Sequence, residues 1–245
     1  MKSYAKILLA VMLLTASTHA FAKSNLVAKA NASEIVDRHL SGFNAVNVAG
    51  PYDVYIKQGA AESVKVEAPA DMIDRVLTEV NGGVLKIYSK HNNWNWGFSW
   101  GNHRKIVVYV VAKDINSINI SGSGDVSFKD GITANSLKLR ITGSGDMTGR
   151  VEVKILESSI TGSGDMRLSG HAENSAVSVV GSGDFTARNL VTVNSSVRVS
   201  GSGDAYVNAS QRVDAAVNGS GDVHYTGAVK SVNSKKSGSG DISRY

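Results

Sequence analysis

Residues 137–149 read Leu-Lys-Leu-Arg-Ile-Thr-Gly-Ser-Gly-Asp-Met-Thr-Gly, and the tetrad inside them, Gly143-Ser144-Gly145-Asp146, decides the fold. The same Gly-Ser-Gly-Asp occurs seven times, with its aspartate at 125, 146, 165, 184, 204, 222 and 241. The steps are 21, 19, 19, 20, 18 and 19 residues, so the chain repeats one structural unit. Two residues before each first glycine stand Ile120, Ile141, Ile160, Val179, Val199 and Val217, and then Lys236. Four before stand Ile118, Leu139, Ser158, Val177, Val197, Ala215 and Ser234, with mostly polar residues between. After each aspartate the alternation resumes, from Val126, Met147, Met166, Phe185, Ala205, Val223 and Ile242. A period of two marks strands with one buried face.

One repeat is therefore a strand, a Gly-Ser-Gly-Asp corner, a second strand and a looser turn such as Lys129-Asp130-Gly131 that absorbs the variation in length. A unit this small cannot bury its apolar face alone, whereas stacking each unit in parallel on the last gives a continuous core. The expected fold is all-β: a right-handed, single-stranded parallel β-helix, or β-solenoid, of about 19–20 residues per coil. Lys236 and Arg244 stand where earlier coils place apolar or small residues, so 232–245 is expected to fray or to cap the stack.

Outward from the repeats, residues 38–115 read as a β-rich part continuous with the solenoid, and 116–245 as the repeats themselves. Met72, Ile73, Val76, Leu77 and Val80 share a helical face, which predicts one short helix between Ala70 and Val80, stopped by Asn81-Gly82-Gly83. Lys23 to Asp37 lacks periodicity and reads as a flexible leader. Before it, a basic start (Lys2, Lys6), the apolar run Ile7–Ser17 and Ala20-Phe21-Ala22 read as a secretory signal peptide over 1–22, too short for a membrane span.

Composition narrows the function. The chain has 245 residues and no cysteine, which excludes disulfides, thiol catalysis and cysteine-based zinc sites. Removing residues 1–22 takes away two lysines and no acid, so the charge falls from +5 to +3. No Lys/Arg cluster marks a nucleic-acid groove, no second apolar segment offers a transmembrane anchor, and nothing specifies an oligomeric state. The expected location is outside the cytoplasm: periplasm, outer-membrane surface or medium.

Two features are candidates for function. All three tryptophans lie in His91–His103, where Trp94, Trp96, Phe98 and Trp100 alternate with small polar residues. These rings either fold back as a lid, form an exposed platform for a sugar or a protein partner, or sit at a membrane interface. His91 and His103 have no third ligand nearby and define no metal site. The second feature is the column Asp125, Asp146, Asp165, Asp184, Asp204, Asp222 and Asp241, expected to be structural. Each carboxylate would accept bonds from its own corner amides, with cations between coils or solvent screening as alternatives.

With these elements in place, the chain resembles the exported bacterial proteins of the family "putative auto-transporter adhesin, head GIN domain", formerly a domain of unknown function. The resemblance rests on the export signal, the Phe43–Val48 and Tyr52–Ile56 opening, the Val84–Tyr88 strand and the Gly-Ser-Gly-Asp ladder, and covers roughly 35–245. It implies right-handed β-helices similar in shape to pectin lyases, and a role in cell adhesion without established catalysis. A glycan or a cell-surface protein is the partner expected, with no cofactor and no catalytic residue. The alternatives are a polysaccharide lyase or hydrolase on the same scaffold, where Arg167, Tyr206 and His224 form only a thin constellation, or a structural envelope spacer.

Overall fold

A computed structural model of the chain describes residues 33–90 and 105–245. The expected signal peptide and most of the expected leader fall outside the described residues. Sixteen strands join into one sheet that winds through about seven turns of a β-solenoid. In chain order the early strands are β1 (Ser33–Asp37), β2 (Ala45–Ala49), β3 (Asp53–Gln58), β4 (Ser63–Pro69), β5 (Val76–Asn81), β6 (Val84–Ser89), β7 (Val107–Ala112) and β8 (Ser117–Gly122). Five long strands then carry the repeats: β9 (Asp125–Gly143), β10 (Met147–Gly162), β11 (Met166–Gly181), β12 (Phe185–Gly201) and β13 (Ala205–Gly219). The stack ends with β14 (Val223–Thr226), β15 (Ser231–Gly238) and β16 (Ile242–Arg244).

From β8 onward every pairing is parallel, and equivalent residues face each other: Ile120, Ile141, Ile160, Val179, Val199 and Val217 form one buried column. Each long strand bends at the looser turn, where register shifts such as those between Gly149 and Val151 and between Thr186 and Val191 take up the unequal repeat lengths. Bulges of this kind let one strand carry an extra residue without disturbing the corners.

The tetrad is explained by close approach. In Gly181-Ser182-Gly183-Asp184, Gly181 has φ +122°, a conformation that favours glycine. A Cβ on Gly183 would lie 2.1 Å from the carbonyl oxygen of Gly164 in the coil below. The Ser182 and Gly183 amides both donate to the Gly162 carbonyl, at 2.9 and 3.2 Å. The serine side chain points out and is exposed.

An eighth corner is hidden in Gly50-Pro51-Tyr52-Asp53. Val46-x-Val48-x-Gly50-x-x-Asp53-Val54 matches Ile118-x-Ile120-x-Gly122-x-x-Asp125-Val126, and Asp53 pairs in register with Asp125. The chain does not proceed directly from this coil to the next. It first turns back to build β4–β7 on the far side, with β6 parallel to β2 and β7 parallel to β3. The antiparallel strands β1, β4 and β5 then finish this end of the sheet.

Two expectations need correction here. The only helical turn in this region is a 3₁₀ turn, Ile73–Arg75, and Val76–Asn81 is a strand. Gly82 and Gly83, with φ +59° and +77°, make a two-residue hairpin turn that aligns β5 against β6 over six residue pairs. That ladder outweighs a helix of under a dozen residues, which is marginal on its own. The leader also ends earlier than its composition suggests, because Ser33–Asp37 pairs antiparallel with β4. At the other end, β15 pairs fully with β13, so the last coil caps rather than frays. It covers Val213, Ala215 and Val217 while presenting its own polar residues outward.

Candidate binding surface

The corner column is the most regular polar feature. Each aspartate accepts, through Oδ1, the backbone N–H of the aspartate in the next coil: Asp125 from Asp146 (3.0 Å), Asp146 from Asp165 (2.9 Å), Asp165 from Asp184 (3.0 Å), and so on to Asp222 from Asp241 (2.8 Å). Asp184 and Asp204 make the intervening bonds at 2.8 and 2.9 Å. The partner is thus not the residue's own corner, as expected from the sequence, but the coil above. Where the turn carries the main-chain carbonyl out of reach, the carboxylate takes its place.

The balance of energies favours the column. Carboxylates about one strand spacing apart repel by about 0.9 kcal/mol per neighbouring pair in water. A hydrogen bond to a charged acceptor contributes about 1.5–3 kcal/mol. Cations relieve part of the repulsion: Arg167 reaches Asp165 at 2.7 Å and Asp146 at 3.7 Å, Lys105 pairs with Asp53 at 2.5 Å, and Lys236 pairs with Asp241 at 3.2 Å. The Lys236 bond holds the Asp241 carboxyl below its ordinary range. Asp184→Ala should therefore cost about 1–3 kcal/mol by leaving the Asp204 amide unpaired. Asp184→Asn, which keeps the acceptor and removes a charge, should cost well under half of that. Urea unfolding of the two variants checks this, and equal losses would contradict it.

Beside the corner, the residue two after each aspartate faces outward, and these positions align from coil to coil. The N-terminal end of this column is aromatic. Tyr55 and Tyr109 stack at 5.8 Å with planes 18° apart, and are 45% and 40% exposed. Tyr109 donates to Glu67 at 3.0 Å, which with partial burial raises its pKa. In register, Tyr55 lies between Tyr109 and Ser127, and Thr148 follows Ser127, so only small hydroxyl residues flank its second face. The sequence reading missed this pair, although Tyr55 follows the hidden Asp53 by two and Tyr109 interrupts an otherwise apolar strand.

The C-terminal end of the column is closed on itself. Tyr206 stacks on His224 at 4.7 Å, and the Arg188 guanidinium lies over Tyr206 at 3.8 Å and over Tyr245 at 4.7 Å. His224 shares a 3.0 Å bond with Ser243, while Asp222 is 3.9 Å from the other ring nitrogen, beyond hydrogen-bond reach, so no proton relay links the three. Arg167, two coils from Tyr206, is bound to the aspartate column. The thin lyase-like constellation of Arg167, Tyr206 and His224 therefore does not converge on one point. Among the described residues no group of three His, Asp or Glu side chains is placed to hold a metal ion, and no helix is long and apolar enough to cross a membrane.

Trp94, Trp96, Phe98 and Trp100 lie outside the described residues. Their flanks are defined: β6 pairs in parallel with β2, and β7 with β3, the strands on either side of the Gly50–Asp53 corner. Lys105, the first described residue after them, is the residue paired with Asp53, two positions from Tyr55.

Fold and surface together define a parallel β-solenoid with regular polar columns and an aromatic end. Residues 42–229 match the family "Putative auto-transporter adhesin, head GIN domain", and the chain belongs to that family. Similar solved structures include a putative adhesin from Bacteroides fragilis, 24% identical, with a TM-score of 0.82 over 87% of this chain and 97% of that one. A putative adhesin from Parabacteroides distasonis is also 24% identical, with a TM-score of 0.72 over 88% of this chain and 98% of that one. A third, described as a putative lipid binding protein from the same species, is 23% identical with a TM-score of 0.71 over 87% and 96%. At these identities the likeness extends to the fold. No curated protein matches the chain.

Proposed function

We propose that this chain is an exported cell-envelope or surface protein that acts by binding, without catalysis, and holds a glycan partner at the aromatic end of its outward face. The observation that carries the reading is the exposed Tyr55–Tyr109 stack. Its second face opens over Ser127 and Thr148, a ring next to hydroxyl donors that suits a sugar. Lys105, which pairs with Asp53 two positions from Tyr55, is the first described residue after the segment of sequence that holds Trp94, Trp96 and Trp100. The family description supports adhesion and an exported location, and residues 1–22 supply the route.

The test is a glycan array probed with the full chain, followed by titration of whatever binds. Tyr55→Ala and a Trp94/Trp96/Trp100→Ala variant should each weaken binding by about tenfold or more, as truncated aromatic anchors do. Unchanged affinity in both variants would rule this surface out. Fractionation of the source cells tests the export part separately.

A further inference from the structure

The strand that leads into each tetrad belongs to a different face, with outward residues one, three and five positions before the first glycine. Its middle column runs Arg140, Ser159, Ser178, Arg198, Ala216 and Lys235, neighbours in register from coil to coil. The three cations are exposed and, among the described residues, none lies within salt-bridge distance of an acid, although Arg198 is near enough to Asp214 to help hold that carboxyl low. The acids of the same face are already engaged: Glu157 by Lys138 at 3.1 Å, and Asp214 by Arg212 at 2.7 Å, which holds the Asp214 carboxyl low. Between Arg198 and Lys235 the small Ala216 leaves an open groove of about 240 Å³, which Ser196, Asn233 and the Arg212-bound Asp214 also line.

From one strand spacing of about 4.8 Å, the cations lie about 14 and 10 Å apart along the axis, with hydroxyl and methyl groups between. We propose that this face binds a linear acidic polysaccharide lying along the solenoid axis, with its anionic groups at Arg140, Arg198 and Lys235 and its sugar hydroxyls over Ser159, Ser178 and Ser196. The charge density selects the ligand class. A nucleic-acid duplex carries a charge every 1.7 Å or so and needs a dense cationic patch. A single strand needs aromatic stacking, and from Ser117 to Ser237 these three columns contain no aromatic residue. A polyuronate, with one charge per sugar and hydroxyls between, matches sparse cations on a floor of small polar residues. This site is separate from the tyrosine end and stands or falls independently of it.

The experiment titrates the full chain with polygalacturonate, neutral dextran and duplex DNA. Polygalacturonate should bind and dextran should not. Three cation contacts imply that raising salt from about 50 to about 200 mM weakens binding by about twentyfold. An Arg140/Arg198/Lys235→Ala variant, checked for an unchanged circular dichroism spectrum, should lose about tenfold or more at low salt and most of the salt dependence. Tyr55→Ala/Tyr109→Ala should leave this affinity unchanged. Equal binding by the triple variant, equal binding of dextran, or tighter cation-dependent binding of DNA would each overturn the proposal.

Discussion

Gly183→Ala should leave little folded protein to assay. Its added methyl would sit 2.1 Å from the Gly164 carbonyl oxygen and 3.1 Å from the carbon behind it, and neither is the end of a flexible side chain. Relief requires two coils to part by more than an ångström. That separation loses the corner bonds of Ser182, Gly183 and Asp184 together, and loosens Phe185 and Val179, which are fully buried. The expected loss exceeds about 4 kcal/mol, at the extreme of single substitutions. Ser182→Ala, one residue away and exposed, should change stability by less than about 0.5 kcal/mol. Soluble yield, β-type circular dichroism and urea midpoints decide the matter. A Gly183→Ala protein that unfolds at the wild-type midpoint would contradict the account.

The second large effect couples two coils through the core. Phe128 is fully buried, and its ring fills the space in which Gly149 would carry a side chain: a Cβ there would meet Phe128 Cε2 at 1.9 Å. Phe128→Ala alone should cost about 3–5 kcal/mol through lost burial and an unfilled cavity. Gly149→Leu alone should be similarly harmful, because the leucine has nowhere to go. Combining them lets the leucine occupy the vacated volume. The double variant should therefore recover about 2–3 kcal/mol relative to the sum, the coupling expected of residues sharing one cavity. Additive losses in a urea double-mutant cycle would mean that the two positions do not share that space.

The repeats were legible because each coil states the same constraints in the same order. A column such as Ile141, Ile160 and Val179 is buried for one reason repeated, and the tetrad glycines recur because every coil presses on the one below. The N-terminal part was less legible because its order in sequence is not its order in space. The β2–β3 coil is interrupted by a return to β4–β7 before β8 resumes the stack, and no local pattern encodes that detour. Tyr52 also disguised the first corner. It takes the place of the second tetrad glycine and is fully buried, with its hydroxyl bonded to Ser89 at the end of β6. The apolar spacing of Met72 to Val80 suits a helix, but it competes with a glycine hairpin that delivers the same residues to a waiting strand edge.

The candidate surfaces were only partly readable. Seven aspartates announce a column, yet their partner, the amide one coil above, emerges only once the coils are stacked in register. Tyr206 and His224 occupy the same outward column as Tyr55, but their ring faces are taken by Arg188 and by each other. Availability of a ring depends on its neighbours in adjacent coils, 18 residues away in sequence for Tyr206 and 54 for Tyr55. The unpaired state of Arg140, Arg198 and Lys235 likewise depends on which lysine or arginine has claimed Glu157 and Asp214.

The stack itself is best tested by distance. The residues just before the tetrads, Ser121, Thr142, Thr161, Val180, Ser200, Asn218 and Ser237, face one another in unbroken register, and the chain contains no cysteine to interfere with labelling. Spin labels on cysteines at Ser121 and, in turn, at Ser200, Asn218 and Ser237 report separations across four, five and six coils. Pulsed electron resonance should give about 19, 24 and 29 Å, rising by one strand spacing per coil. Separations that fail to rise in equal steps, or that bring Ser121 and Ser237 together, would show that the tetrads do not stack coil upon coil.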